Sequence, residues 1–496
     1  MPKFEQSSKR FCNPYHFVPL GNGVTERKDF IERNQRGHEE TLTGWLDCEL
    51  KTVSPLFIPN TTNNDYFRLR VKNNNNIDEP HSYEFFSHTD LEGVDGSKQK
   101  GPSDPVIPGS SIRGVIRSAY EALTNSCMST VDDEHFLYKR FTVPYSQCGV
   151  ILEQNGKYVL QPCREVSGST NVDNRQTFRF QGEVGIKKNK KTGKPHQSKK
   201  VFEVENGSEP IALDEEDLRR FRKVIELYRD SRINGNASRR VWYPHINPQK
   251  LHGTAVFYEY KVGQLYISPA QIGKEVFYHT LSGLIGSYSP CRTLKSVCPA
   301  CELFGFAGRE EALASRLRFS DAKVVAKPQY IEPGILPELA SPKSSATEFY
   351  LQKQNDHHDI WNYDYAGEWV QNNEPNGPKK SLQYDEQYVP HISGRKYYWH
   401  NSDRPGIFID EQYASKRNVK VRPMAKGVTF RFRLHFNRIT LSDLRKLAWV
   451  LTIGQSQEHA HKLGMGKPVG LGGVQIKVKH VWQRSLGFDS GSLEHG

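Results

Sequence analysis

Residues 427 to 436 read GVTFRFRLHF. Val428, Phe430, Phe432, Leu434 and Phe436 recur at every second position, which is the period of a strand with one buried face. TLSDLRKLAWVL follows at once and carries Leu444, Leu447 and Leu451 at helical spacing. A glycine-rich loop, LGMGKPVGLGG (463–473), and a second alternating stretch, VQIKVKHVW, complete the segment. Strand, helix, glycine loop and strand in that order constrain the fold more than anything else in the chain. They demand a sheet with helices on one face.

A matching half precedes them. TGWLDCELKTVSPLFIP alternates from Trp45 through Leu46, Cys48, Leu50 and Val53 and reads as a first strand. VIPGSSIRGVIRSAYEAL turns at Pro108-Gly109, with Ser110 or Ser111 as the expected N-cap. Ile112, Ile116, Tyr120 and Leu123 form its apolar face, and Arg113 and Arg117 lie one turn apart on another. The order suits an α+β, ferredoxin-like βαββαβ core interrupted by insertions. GVILEQNGKYVL predicts a hairpin with an Asn-Gly turn. A second hairpin is expected in GEVGIKKNKKTGKPHQSKKVFEV, with seven lysines between positions 187 and 200 (Lys187, Lys188, Lys190 and Lys191 among them). In LDEEDLRRFRKVIELYRDS, Asp214 caps a helix with Leu218, Phe221, Ile225 and Tyr228 inward. The expected organisation is an extension (1–40), core segments at 41–128, 276–331 and 426–482, insertions at 129–275 and 332–425, and a tail (483–496).

The glycine loop is not a nucleotide-binding P-loop. Gly466-Lys467 is followed by Pro468, position 461 holds a histidine, and a strand follows where a P-loop opens a helix. A Rossmann loop fails for the same reason. The net charge of +12, with 11% aromatic residues, favours a polyanion partner, RNA or DNA. Glycine amides can cradle phosphates, so Gly464, Gly466, Gly470 and Gly472, with Lys462 and Lys467, are candidate nucleic-acid contacts. The helix start (Ser110, Ser111, Arg113, Arg117) is a second, through its unpaired amides. His459 and His461 are read as phosphate contacts or exposed side chains before acid–base catalysts.

Eight cysteines occur, and the N-terminal stretch has no signal-peptide core, so a cytoplasmic chain with free thiols is expected. Cys298 and Cys301, in CPACELFG, give half of a zinc knuckle, with Cys291 as third ligand and His279 or Cys127 as fourth. Coincidental cysteines and a redox pair are the alternatives. HTDLEGVDGSKQKGPSDP offers His88, Asp90, Glu92, Asp95 and Asp104, carboxylates able to position a metal or water for backbone cleavage.

Three motifs in order, IPGSSIRGVIRSAYE, CPACELFGFAG…ASRLRFSDA and KLGMGKPVGLGGVQI, resemble the RAMP superfamily of CRISPR-associated proteins, above all backbone subunits of type III effector complexes. The insertions resemble those of the type III-D subunit. The resemblance implies a modified RNA-recognition-motif palm and a CRISPR guide RNA (crRNA) held by its phosphates at the helix start and glycine loop. It also implies target RNA and other effector subunits as partners, within a ribonucleoprotein of antiviral defence and away from membranes. Many such subunits cut target RNA with an aspartate and Mg or Mn, in an Asp-Ser-Pro context ahead of the proline. Asp95 holds that place here, but Gly96 replaces the serine; Asp104 is second choice, and a scaffold role is favoured. The alternatives are a stand-alone RAMP endoribonuclease processing CRISPR precursor RNA and a zinc-containing RNA-binding protein outside CRISPR.

Overall fold

The structure, a computed structural model, describes residues 14–21, 26–30, 40–67, 80–141, 143–166, 177–181, 199–205, 207–229, 246–341, 343–374, 377–400, 407–456, 458–484, 486–489 and 492–495. It is a mixed α+β chain, mostly strands with few helices. It divides into two compact units, one made of Met1–Val131, Ser287–Ser341 and Ser393–Gly496, the other of Asp132–Gly286 and Pro342–Ile392.

The first unit is built on an antiparallel sheet. We label its main elements β1 (Thr41–Thr52), α1 (Gly109–Leu123), β2 (Leu317–Phe319), β3 (Ala322–Val324), β4 (Thr429–Thr440), α2 (Leu441–Thr452) and β5 (Gly473–Gln483). The strand order is β5-β1-β4-β3, with β2 also paired to β4. His461–Lys462 extends the β5 edge and Val106–Ile107 the β3 edge.

Val428, just ahead of β4, and Phe430, Phe432, Leu434 and Phe436 within it are all buried, together with Leu46, Cys48 and Leu50 of β1. Against them pack Ile112, Ile116 and Tyr120 of α1 and Leu447, Val450 and Leu451 of α2. Each such side chain contributes about 1.5–3 kcal/mol on leaving water. Two expectations shift. Leu123 is 43% exposed, because the buried stripe of α1 ends at Tyr120, one turn before the helix does. Trp45 lies on the face opposite Leu46, beside His435 and Trp482, as strand alternation requires of adjacent residues.

The second unit carries another sheet, ordered Gln264–Ser268, Thr254–Lys261, Gln147–Gln154, Lys157–Val166, Lys199–Val204, Thr177–Gln181. Its expected Asn155-Gly156 turn has positive φ at both residues (51° and 74°), as a two-residue hairpin needs. Helix Glu215–Arg229 is capped by Asp214, whose Oδ1 accepts from the Asp217 amide, and buries Leu218, Phe221 and Ile225. The lysine-rich tip falls outside the described residues; the strands flanking it pair antiparallel from Gln181↔Lys199 onward. At the centre, Lys261 and Glu275 form a buried ion pair, and the Tyr145 and Tyr365 hydroxyls also donate to Glu275.

Candidate metal centre and nucleic-acid interface

Four sulfurs meet in the first unit. Cys127 follows α1, Cys291 and Cys298 lie on the incoming loop, and Cys301 sits in the short helix Pro299–Phe304. All four are buried, and their Sγ atoms lie within 4.8 Å of one another. The Cys127–Cys301 separation is 3.5 Å. A disulfide needs about 2.05 Å, whereas four sulfurs about 2.3 Å from one zinc stand about 3.8 Å apart.

The donors around the cluster also favour thiolates. Arg27 Nη1 lies 3.3 Å from Cys291 Sγ and Arg117 Nη2 3.2 Å from Cys301 Sγ. The Cys298 amide donates to Cys291 Sγ at 3.3 Å and the Cys301 amide to Cys298 Sγ at 3.5 Å. Hydrogen bonds from Cys127, Cys291 and Cys301 hold Cys298 below the ordinary thiol range, and Cys291 is also lowered, whereas Cys127 and Cys301 are pushed up. Such a set can hold a metal such as zinc, and with four protein ligands it leaves no open position for catalysis. Cys127 is thus the fourth member. The other candidate, His279, belongs to the second unit, where its Nδ1 pairs with Asp364 Oδ1 at 2.9 Å.

Arg117 therefore faces the cysteines, and also donates to Gly305 O and Glu121. Arg113 donates to Phe304 O. Both arginines of the helix start brace the cysteine loop. The cap lies two residues before the first of the expected caps: Pro108 is the N-cap, with no side-chain hydrogen bond. Asp321 does the capping from a distance, its Oδ1 accepting from the Gly109 amide at 2.8 Å while its Oδ2 lies 3.2 Å from His88 Nε2. Ser110 is exposed and Ser111 half-buried.

The glycine loop is rigidly built. Gly464 (φ 80°) and Gly472 (φ 85°) admit no side chain, since a Cβ would stand 2.2 Å from Phe57 O and 2.0 Å from Leu463 O. Gly466 and Gly470 are also left-handed. The amides of Leu463, Met465, Val469, Gly470, Leu471, Gly472 and Gly473 donate within the protein. Those of Gly464, Gly466 and Lys467 find no intramolecular acceptor among the described residues. Lys462 Nζ donates to Gly470 O and Leu471 O at 3.0 Å, and burial, reinforced by Lys467, lowers its pKa to about 8. Burial also lowers Lys467. His461 is no exposed catalyst: it is buried, and its Nε2 caps α2 at Val450 O and Leu451 O; desolvation keeps it below the usual histidine range, against the pull of those two hydrogen bonds. His459 is exposed.

The two half-sites leave opposite edges of the sheet and are linked by a backbone relay. Met465 N donates to Phe57 O, Phe86 N to Ile58 O and Val106 N to Phe86 O, ending three residues before the helix start. Residues 87–105 loop out between Phe86 and Val106. Asp95 and Asp104 are exposed on it, and Asp95 Oδ1 accepts from the Ser97 amide. Among the described residues, the four cysteines are the single group of three or more side chains spaced as metal ligands, and neither aspartate belongs to such a group.

The family model of the RAMP superfamily matches residues 49–475. The chain belongs to the RAMP superfamily. No curated protein matches it. Membership of this CRISPR-associated family supports RNA binding for the RAMP chain and RNA and CRISPR-complex partners in general. No described helix is long and apolar enough to cross a membrane. Sequence reasoning missed Arg27 and the capping by Asp321; the latter stands inside the quoted RLRFSDA motif, but nothing in its spacing points 212 residues back to Gly109.

Proposed function

We propose that this RAMP protein is a guide-RNA-binding backbone subunit of a type III CRISPR effector complex, with insertions like those of the type III-D subunit. The observation that supports the reading is the hydrogen-bonded relay that links the glycine loop to the start of α1. Along it the Gly464, Gly466 and Lys467 amides, the Lys467 ammonium and the Ser110 hydroxyl take guide phosphates and leave the bases free to pair. Lys462 and Arg113 add charge, while Gly470, Gly472, Ser111 and Arg117 hold the geometry. The strand order β5-β1-β4-β3, with α1 and α2 on one face, supports the ferredoxin-like core. When bound, zinc would be held by Cys127, Cys291, Cys298 and Cys301 and would fasten the loop against which α1 is braced.

Cleavage of target RNA is a second activity, assigned to Asp95, with Asp104 as the alternative, acting through Mg or Mn. The loop's position between the two half-sites supports it. Neither aspartate belongs to a group of three or more metal-ligand side chains among the described residues, which leaves scaffolding the stronger role. The test is to purify the protein from cells with its genomic neighbours and sequence the RNA that accompanies it. Discrete RNAs joining a CRISPR repeat fragment to a spacer are expected; heterogeneous cellular RNA would overturn the reading. Asp95→Ala should remove one metal-dependent cut in a guide-matched RNA, and unchanged cutting at every site would refute that role.

A further inference from the structure

The face of the first unit's sheet opposite α1 and α2 has no part in the two half-sites described above, yet its composition is unusual. Strand register lays its side chains out in cross-strand rows. One row reads Arg318, His435, Trp45, Trp482. The next reads Arg433, Asp47, His480, and the third Lys323, Arg431, Glu49, Lys477. Lys51 lies beyond Glu49, and Lys479 occupies the irregularity in β5. Seven lysines and arginines thus share the face with two carboxylates.

The carboxylates are already engaged. Asp47 accepts from Arg433 Nε and Trp482 Nε1, and Glu49 faces Arg431 and Lys479. Lys51, Arg318, Lys323 and Lys477 have no ion-pair partner among the described residues, so the surplus positive charge is uncompensated. The aromatic rings are ordered. Trp45 and Trp482 stack at 6.0 Å with planes 22° apart, and Arg433 lies 5.2 Å over the Trp45 ring. Trp482 is still 49% exposed. A cleft of about 710 Å³ borders the face at Lys51 and Lys477 and runs round the sheet edge to His459 and the end of α2.

An acidic protein surface would satisfy the cations but has no use for an exposed indole backed by a second, half-buried one. A duplex would satisfy the cations but keeps its base faces covered. Unpaired bases offer flat rings to the indoles and a phosphate for each neighbouring cation. We propose that this open sheet face is a second RNA surface, on which Trp482, backed by Trp45, stacks a base of a single-stranded RNA while Lys51, Arg318, Lys323 and Lys477 bind its phosphates. The proposal does not rest on the guide-binding reading, because it concerns the other side of the sheet and any unpaired RNA.

The test uses the full chain and a fluorescein-labelled oligouridylate, free and annealed to its complement. Binding is read by polarisation and by quenching of tryptophan fluorescence. Trp482→Ala should weaken single-strand binding roughly 5- to 150-fold, as expected for loss of one stacked base. Trp482→Phe should restore most of it, and both should melt like the parent. Lys323→Gln and Lys477→Gln should each reduce the slope of log affinity against log salt by about one. Equal affinity across all variants, or a duplex bound as well as the single strand, would overturn the proposal. So would a Trp482→Ala protein that keeps its RNA affinity but loses a protein subunit on purification. Guide loading, read by RNA sequencing, would survive failure here.

Discussion

A single side chain decides how Cys301 is held. Arg117 reaches its sulfur at 3.2 Å, and Arg27 does the same for Cys291. Two guanidinium groups on a buried cluster compensate thiolate charge, which is why the site suits a metal better than four neutral thiols. Cys127→Ser removes one of four ligands. Zinc retained after dialysis against a competing chelator should fall from about one per chain to well below that, measured by elemental analysis; undiminished zinc would show that Cys127 is no ligand. Lys462 makes a second prediction. Its pKa is lowered from 10.5 to about 8 by burial and then by Lys467. Between those values the unfolded chain holds more protons than the folded one, so stability rises with pH through that window, and the cost of burying the charge is fully present below about 8. RNA binding runs the other way. As pH rises through about 8 the ammonium is lost, and affinity should fall. Lys462→Arg should flatten that dependence, since arginine keeps its charge; identical pH profiles for the two proteins would exclude Lys462 from the phosphate site.

At the scale of elements, α1 begins where a distant carboxylate allows. Asp321→Ala leaves the Gly109 amide without its acceptor and removes a negative charge from the positive end of the helix dipole. A loss of about 1 kcal/mol is expected, read as a lower denaturation midpoint. An unchanged midpoint would mean that water replaces the cap. The strands and helices themselves were legible, because β1, β4, β5, α1 and α2 each carry their own period of two or 3.6. Each depends on burying one face, and that requirement is written locally. What closes the elements on one another is not. Asp321 capping Gly109, His461 capping α2 and Cys127 completing the sulfur cluster are pairings across the chain that no local period encodes. The same holds for Trp45. Its place at the start of an apolar alternation suggests core, yet parity with Leu46 puts it on the outer face. The serines after Gly109 are good caps by type, but Pro108 starts the helix ahead of them.

For the whole molecule, the cysteine cluster sits where the first unit is interrupted. The chain leaves that unit after Val131 and returns at Ser287, and Cys127 and Cys301 stand 174 residues apart. Fixing two points so far apart removes loop entropy from the unfolded chain. A 100-residue cross-link is worth about 4.7 kcal/mol, and each doubling adds about 0.6, so the staple is worth about 5 kcal/mol as an upper figure. All four ligands belong to the first unit, whereas the second has its own core around Lys261, Glu275 and its tyrosines. Stripping the metal should therefore act selectively. In hydrogen exchange followed by peptide mass spectrometry, protection should fall in 109–131 and 287–304, the segments that carry and brace the ligands. The strands at 147–166 and 254–268 should keep theirs. Equal loss in both units would mean that the second depends on the metal as well. No loss anywhere would mean that the sulfurs hold the loop without one, with the two arginines and the backbone amides stabilising a purely thiol cluster.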